Sequence, residues 1–180
     1  MELNGETYLF NLSLIAITFA AVSALVMLIR QTMGGRLSGF DVYLITTYLS
    51  FSLAVAICAV LPPLLSALGL PERAKWCVGS ALAAIPLAAI SVWVLRHRRK
   101  ASGVAMPLMT VIIVTGGWLS ILILAINAVG VWLDLPPPFG PGLFLAALTV
   151  RLALLMWAFV RRVASLLQEA PGADWDPSRG

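Results

Sequence analysis

Charged side chains are scarce in this sequence, and their scarcity excludes most soluble folds. Only 11% of the 180 residues are Asp, Glu, Lys or Arg, whereas about a quarter are charged in a typical soluble domain. Hydrophobic residues make up 61% of the chain, so it has too few polar residues to cover a water-exposed surface. There is also no room for a separate soluble catalytic domain, because bilayer-spanning helices of ~20 residues use up nearly all of the chain.

Histidine and cysteine are scarce as well. The single histidine, His97, lies in a basic segment, which excludes a haem held by two histidines of this chain. Cys58 and Cys77 form no CxxC pair and have no metal-ligand spacing. The long apolar stretches contain no Asp, Glu or His, so the convergent bases that hydrolytic and metal chemistry need are missing. The sequence therefore predicts a protein that is not an enzyme and has no metal and no cofactor.

Long apolar stretches are what the sequence has in abundance. Five of them are long enough to cross a bilayer as α-helices, at residues 8–29, 42–61, 76–95, 107–132 and 142–160. We therefore predict an all-α, polytopic membrane protein in which residues 1–168 form a single transmembrane helical bundle. Residues 64–70 stay apolar after two prolines, and they could form a short helix lying at the membrane interface. Residues 169–180 are polar and rich in Gly and Pro, which predicts a disordered cytoplasmic tail.

Lys and Arg are unevenly distributed between the connecting segments. The segments on one side of the predicted spans contain only Arg73 and Lys75. Those on the other side contain nine: Arg30, Arg36, Arg96, Arg98, Arg99, Lys100, Arg161, Arg162 and Arg179. Because Lys and Arg accumulate on the cytoplasmic side, we predict an N-out/C-in topology, and the clear bias in a small protein favours the bacterial inner membrane. The basic residues form short clusters at helix ends, which argues against nucleic acid as a partner.

Arg151 is the most unusual residue, because it lies near the middle of the fifth apolar stretch. A charge at the bilayer centre costs about 2.5 to 3.5 kcal/mol on insertion scales, so such a residue usually faces a bundle interior, a cavity or a partner. The alternative is a long or tilted helix from which the guanidinium snorkels to the headgroups. Without a carboxylate in any stretch, the charge must be met by hydroxyls and carbonyls, by an anion or headgroup, or by another subunit.

Polar side chains on two other stretches are candidates to meet this charge. Gly117, Ser120 and Asn127 fall on one stripe of the fourth helix, and Thr47 and Ser50 lie on the second. Ser120 should lie at about the depth of Arg151, because the fourth and fifth helices are connected by a short loop and run antiparallel. The predicted ligand- or partner-binding site consists of Arg151, Ser120, Asn127, Thr47 and Ser50. The competing interpretation is that the hydroxyls are only packing contacts between helices.

The third stretch is rich in small residues at four-residue spacing. Its small side chains are Gly79, Ser80, Ala83, Ala84 and Ala88. Small residues let helices approach closely. The pattern therefore predicts either a tightly packed central helix or a subunit interface.

Three functions are compatible with these features. The leading hypothesis is a non-enzymatic accessory or interaction subunit of a larger or homo-oligomeric membrane assembly, motivated by the small residues of the third helix and by Arg151. The alternative is a carrier or channel for a small anionic or amphipathic solute, with Arg151 as the intramembrane counter-charge. The third is a quinone- or thiol-linked redox protein acting through Cys58 and Cys77, which lie at nearly the same predicted depth. The lipid bilayer is the partner that all three share.

Overall fold

The computed structural model describes residues 5–32, 39–101, 108–136 and 139–168. These residues form an all-helical fold with five helices, each long and apolar enough to cross a membrane. The helices are α1 (Gly5–Thr32), α2 (Gly39–Ala67), α3 (Glu72–Ala101), α4 (Leu108–Trp132) and α5 (Pro141–Gln168). The predicted all-helical fold with five helices of spanning length is confirmed. The predicted tail at residues 169–180 lies outside the described residues.

The second helix does not end at its prolines. α2 continues through Pro62 and Pro63 to Ala67, so the interpretation of residues 64–70 as a separate interfacial helix is wrong. The chain turns instead at Gly69, whose φ is 77° and whose N–H donates to the Ser66 carbonyl at 2.9 Å. The Leu70 N–H donates to the Leu65 carbonyl at 3.2 Å, which completes the glycine-centred cap that commonly ends helices.

The helices pack in chain order around a ring. Each helix contacts the next one along the chain, and α5 closes the ring by contacting α1 and also reaches across to α2 and α3. α1 packs mainly against α2 and makes a much smaller contact with α5. The most enclosed helix is α2. In its apolar spanning stretch 56% of the residues are buried, compared with 33% in the stretch of α3. The third helix is therefore not the central one.

The small residues of α3 nevertheless face inward. Gly79 lies against α2, because a Cβ at this position would be 3.6 Å from Pro62 and 3.7 Å from Leu65, in ordinary contact. Ser80 and Ala83 are fully buried. This part of the predicted small-residue surface is thus used for packing within the chain, where close approach of helices is favourable.

Candidate functional site

Arg151 lies inside the helical bundle. Its side chain projects from α5, and the residue is only 2% exposed. Nη1 donates a hydrogen bond of 2.9 Å to the Ile113 carbonyl of α4, and Cζ lies 3.7 Å from the centroid of the Phe51 ring of α2. The guanidinium is therefore enclosed between α2 and α4, which is the interior arrangement and not the snorkelling one.

Gly117 on α4 provides the space for this guanidinium. A Cβ at position 117 would be 2.8 Å from Cζ of Arg151 and would overlap Nη1. The neighbouring Gly116 accommodates Leu154 of α5 in the same way. The two glycines thus allow α5 side chains to lie directly on the backbone of α4.

The positive charge of Arg151 has few compensating contacts. In the part of the chain that the structure describes, its Nε is buried without a hydrogen-bond partner, and none of the ion pairs found there involves Arg151. The ring of Phe51 offers a cation–π contact, which is worth about 2 kcal/mol when desolvated. The hydroxyl of Tyr48, one turn before Phe51 on α2, is also buried without a partner.

None of the other predicted site residues has a recorded hydrogen bond to the guanidinium. The Ser120 hydroxyl donates to the Gly116 carbonyl at 2.9 Å, and the Thr47 hydroxyl donates to the Tyr43 carbonyl at 2.8 Å. Both bonds lie within the residue's own helix. Ser50 is half-buried. The residues that do meet Arg151 are Phe51, Ile113 and Gly117, of which only Gly117 lies on the stripe that Ser120 and Asn127 share.

Asn127 holds the connection between α4 and α5. It is fully buried, and its Nδ2 donates to Ser80 Oγ and to the Gly140 carbonyl, both at 2.9 Å. Its Oδ1 accepts a 2.7 Å bond from the Gly140 N–H. Ten residues separate Asn127 from Gly117, which is ~15 Å along a helix. Asn127 is therefore remote from Arg151, and its amide is already used.

No protein-family model, curated protein or solved structure matches this chain. Among the described residues, no group of three or more His, Cys, Asp or Glu side chains is placed to hold a metal ion.

The two cysteines point to different helices. The Cys58 thiol is buried and lies 3.7 Å from the Ala83 carbonyl of α3, whereas the Cys77 thiol lies 3.4 Å from the Ala128 carbonyl of α4. Both are free thiols. This geometry gives no support to redox chemistry that needs the two sulfurs to meet.

A cluster of charged residues closes the end of the bundle where α1, α3 and α5 begin. Arg73 pairs with Asp134 at 3.4 Å and donates from Nε to the Val131 carbonyl at 2.9 Å, which satisfies a carbonyl at the end of α4. Lys75 pairs with Glu72 at 2.8 Å and with Glu6 at 3.8 Å. The cations at this end of the bundle are thus neutralised by nearby carboxylates.

Proposed function

We propose that this chain is a multi-pass membrane protein with its N-terminus outside and its C-terminus in the cytoplasm, in a bacterial inner membrane. Five helices of spanning length support insertion. The ion pairs support the orientation, because Arg73 and Lys75 at the proposed outer end are matched by carboxylates. Arg96 and Arg161 at the opposite end are exposed, so the excess of positive charge is on the proposed cytoplasmic side.

We further propose that the protein is a carrier for a small anionic or amphipathic solute, with Arg151 as the counter-charge. The observation that carries this proposal is the burial of Arg151, which is only 2% exposed. Its guanidinium contacts the Ile113 carbonyl and the Phe51 ring. A buried charge is strongly unfavourable unless it is paired. An anionic group of the solute would supply the missing partner.

The enclosure of Arg151 favours a carrier over an open channel. The guanidinium is covered by α2 and α4, so a solute reaches it only when helices around the site separate. Binding would then stabilise a different arrangement of the bundle from the one described here, which is how a carrier couples occupancy to conformation.

A non-enzymatic accessory subunit is the second candidate. The long apolar face of α1 favours it, because this helix packs mainly against α2 and exposes Leu14, Leu25 and Leu28. Two features first motivated this hypothesis: Arg151 and the small residues of α3. Both now favour it less, since Arg151, Gly79, Ser80 and Ala83 are buried within the chain's own bundle. A stable homo-oligomer or a co-purifying membrane subunit would support this candidate.

Thermal unfolding in dodecyl maltoside tests the carrier proposal, with dodecyl phosphate as the anionic probe and dodecanol as its neutral control. We expect dodecyl phosphate at ten times its Kd to raise the wild-type Tm by about 4 °C and dodecanol to have no such effect. Arg151→Leu should fold but lose this response. Arg161→Gln removes an exposed charge at the helix end and should keep it. An equal response of all three proteins would contradict the proposal.

A further inference from the structure

Polar contacts between α1 and its neighbours lie near the start of the helix. The Glu6 carboxylate pairs with Lys75 of α3 at 3.8 Å. The hydroxyls of Tyr8 and of Thr149 on α5 share a hydrogen bond of 2.9 Å, and the Ser13 hydroxyl donates to a backbone carbonyl of α2 at 3.2 Å. Three helices thus hold the beginning of α1, at the proposed outer end of the bundle.

Beyond Ser13 the recorded contacts of α1 are of a different kind. The Thr18 and Ser23 hydroxyls donate to carbonyls of their own helix, each at 2.8 Å. Phe19 meets two rings, with its centroid 5.3 Å from that of Phe159 on α5 and 6.4 Å from that of Tyr48 on α2. Apolar rings separate without breaking a hydrogen bond, whereas a polar group left unpaired in an apolar medium is costly. These ring contacts are therefore easier to open than the contacts at the start of α1.

α1 is a rigid helix that the bundle encloses only weakly. It has no proline, and no glycine after Gly5, and these are the residues at which helices commonly bend. Its spanning stretch is 28% buried, the lowest share among the five helices. An apolar groove of about 420 Å³ lies between α1 and α5 beside the contact of Phe19 with Phe159. Movement of the far part of α1 is thus a tilt of the whole helix about its first turns.

Phe19 covers a contact between α2 and α5 that lies close to Arg151. The rings of Tyr48 and Phe159 themselves meet, with centroids 5.7 Å apart. Tyr48 lies one turn before Phe51, the ring that contacts the guanidinium, and Phe159 lies about two turns after Arg151 on α5. Both rings are therefore displaced from the site toward the proposed cytoplasmic end, by no more than ~12 Å along the helix axes.

We propose that α1 is a gate of the Arg151 site, which pivots on its outer contacts and separates from α5 at Phe19. The inference rests on the proposed carrier function, and it identifies the helix that moves and the side from which the solute enters. When α1 tilts, the rings of Tyr48 and Phe159 lose their cover, and the contact between α2 and α5 becomes accessible from the cytoplasmic end. A tilt of about 15° would move Leu25 by ~5 Å.

Distances between spin labels in lipid nanodiscs test the gate, with Cys58 and Cys77 replaced by alanine. Two label pairs connect exposed positions of α1 and α5: an inner pair, Leu25 with Ala164, and an outer pair, Thr7 with Ala146. With dodecyl phosphate present, we expect one narrow distribution for the outer pair and an additional component ~5 Å longer for the inner pair. Equally narrow distributions for both pairs, with and without dodecyl phosphate, would overturn the proposal.

Phe159→Leu tests the ring contacts without any ligand. It removes the ring that meets both Phe19 and Tyr48, so we expect the ratio of longer to shorter inner distances to rise about fivefold, the lower end of what two aromatic pairs contribute. Phe144→Leu is the control, because it removes a ring contact with Trp76 nearer the start of α5, and it should leave the inner distances unchanged. An equal effect of the two variants, or no effect of either, would contradict the gate.

Dodecyl phosphate also distinguishes failure of the gate from failure of the carrier proposal. If both proposals hold, dodecyl phosphate increases the longer inner component, dodecanol does not, and Arg151→Leu abolishes the response. Opening in Phe159→Leu without any response to dodecyl phosphate would support the gate and contradict the carrier. A rise in Tm with dodecyl phosphate at fixed inner distances would support the carrier and overturn the gate. The labelled protein without further substitution gives this last comparison even if Phe159→Leu fails to fold.

Discussion

At the scale of single residues, Arg151 is held by contacts that leave much of its hydrogen-bonding capacity unused. A guanidinium presents several N–H donors in a planar fork, yet the recorded bond is the one from Nη1 to Ile113. The Phe51 ring covers one face of the charge without accepting its in-plane hydrogens. The planar edge of Arg151 is therefore where the proposed solute would bind.

Arg151→Lys tests whether this planar edge matters. Lysine keeps the charge but loses the fork that grips phosphate or carboxylate with two bonds. We expect the variant to bind dodecyl phosphate roughly tenfold more weakly than the wild type, because a hydrogen bond to a charged group is worth about 1.5 to 3 kcal/mol. Isothermal titration in detergent measures the difference. Unchanged affinity would mean that only the charge is recognised.

Gly117→Ala tests the packing of Arg151 against α4. The added Cβ would overlap the guanidinium, so we expect a loss of about 1 to 3 kcal/mol in the free energy of unfolding. Gly142→Ala is the matched control, because a Cβ there meets nothing within 4 Å. Combining Gly117→Ala with Arg151→Leu should recover most of the loss. Additive losses in the double variant would contradict the proposed contact.

The sequence alone identifies Arg151 and the stripe of α4 that contains Gly117, but not Phe51 or Ile113. A charge in the middle of an apolar stretch is recognisable however the helix is oriented. Which side chains of α2 and α4 meet that charge depends on how these helices rotate about their axes, and a shift of one position exchanges Ser50 for Phe51. Gly117 lies on the predicted stripe, and a glycine in a membrane helix often marks close approach of a neighbour.

At the scale of elements, the α4–α5 connection depends on one buried amide. Asn127→Ala would leave both backbone groups of Gly140 without their recorded partner and would remove the bond to Ser80. We expect a loss of about 1 to 3 kcal/mol in unfolding free energy, the cost of leaving buried polar groups unsatisfied. Ser120→Ala is the control on the same helix, because its hydroxyl bonds only its own backbone. Denaturation of both variants in mixed detergent micelles measures the difference.

Helix ends are harder to predict from the sequence than helix cores. The five apolar cores are evident from length and hydropathy, but α2 passes through Pro62 and Pro63 and ends near Gly69. Prolines are tolerated inside membrane helices because neighbouring groups compensate for the lost hydrogen bond. The sequence signal for the end of α2 is Gly69 with Pro71 two residues later, a combination typical of helix C-termini. Weighting this pattern above the prolines would have predicted the observed end.

At the scale of the whole molecule, the distribution of Lys and Arg between the two ends of the helices predicts how the bundle is oriented. We expect reporter fusions after Arg36, Lys100 and Arg162 to indicate the cytoplasm, and fusions near Glu72 and Pro138 to indicate the outside. The physical reason is the retention of Lys and Arg on the cytoplasmic side. At each position, the activity of an alkaline phosphatase fusion is compared with the fluorescence of a green fluorescent protein fusion. A cytoplasmic signal at Pro138 would contradict the five-span topology.

An experimental structure of the purified protein in lipid, determined with dodecyl phosphate present, tests the proposed function most directly. We expect a phosphate oxygen within about 3 Å of a guanidinium nitrogen of Arg151, together with a separation of the helices that now enclose it. The contrary result is a guanidinium that still meets Phe51, Ile113 and Gly117 as it does here, with the amphiphile absent or bound elsewhere. Arg151 would then be a structural residue, and the protein would not be a carrier that uses its charge.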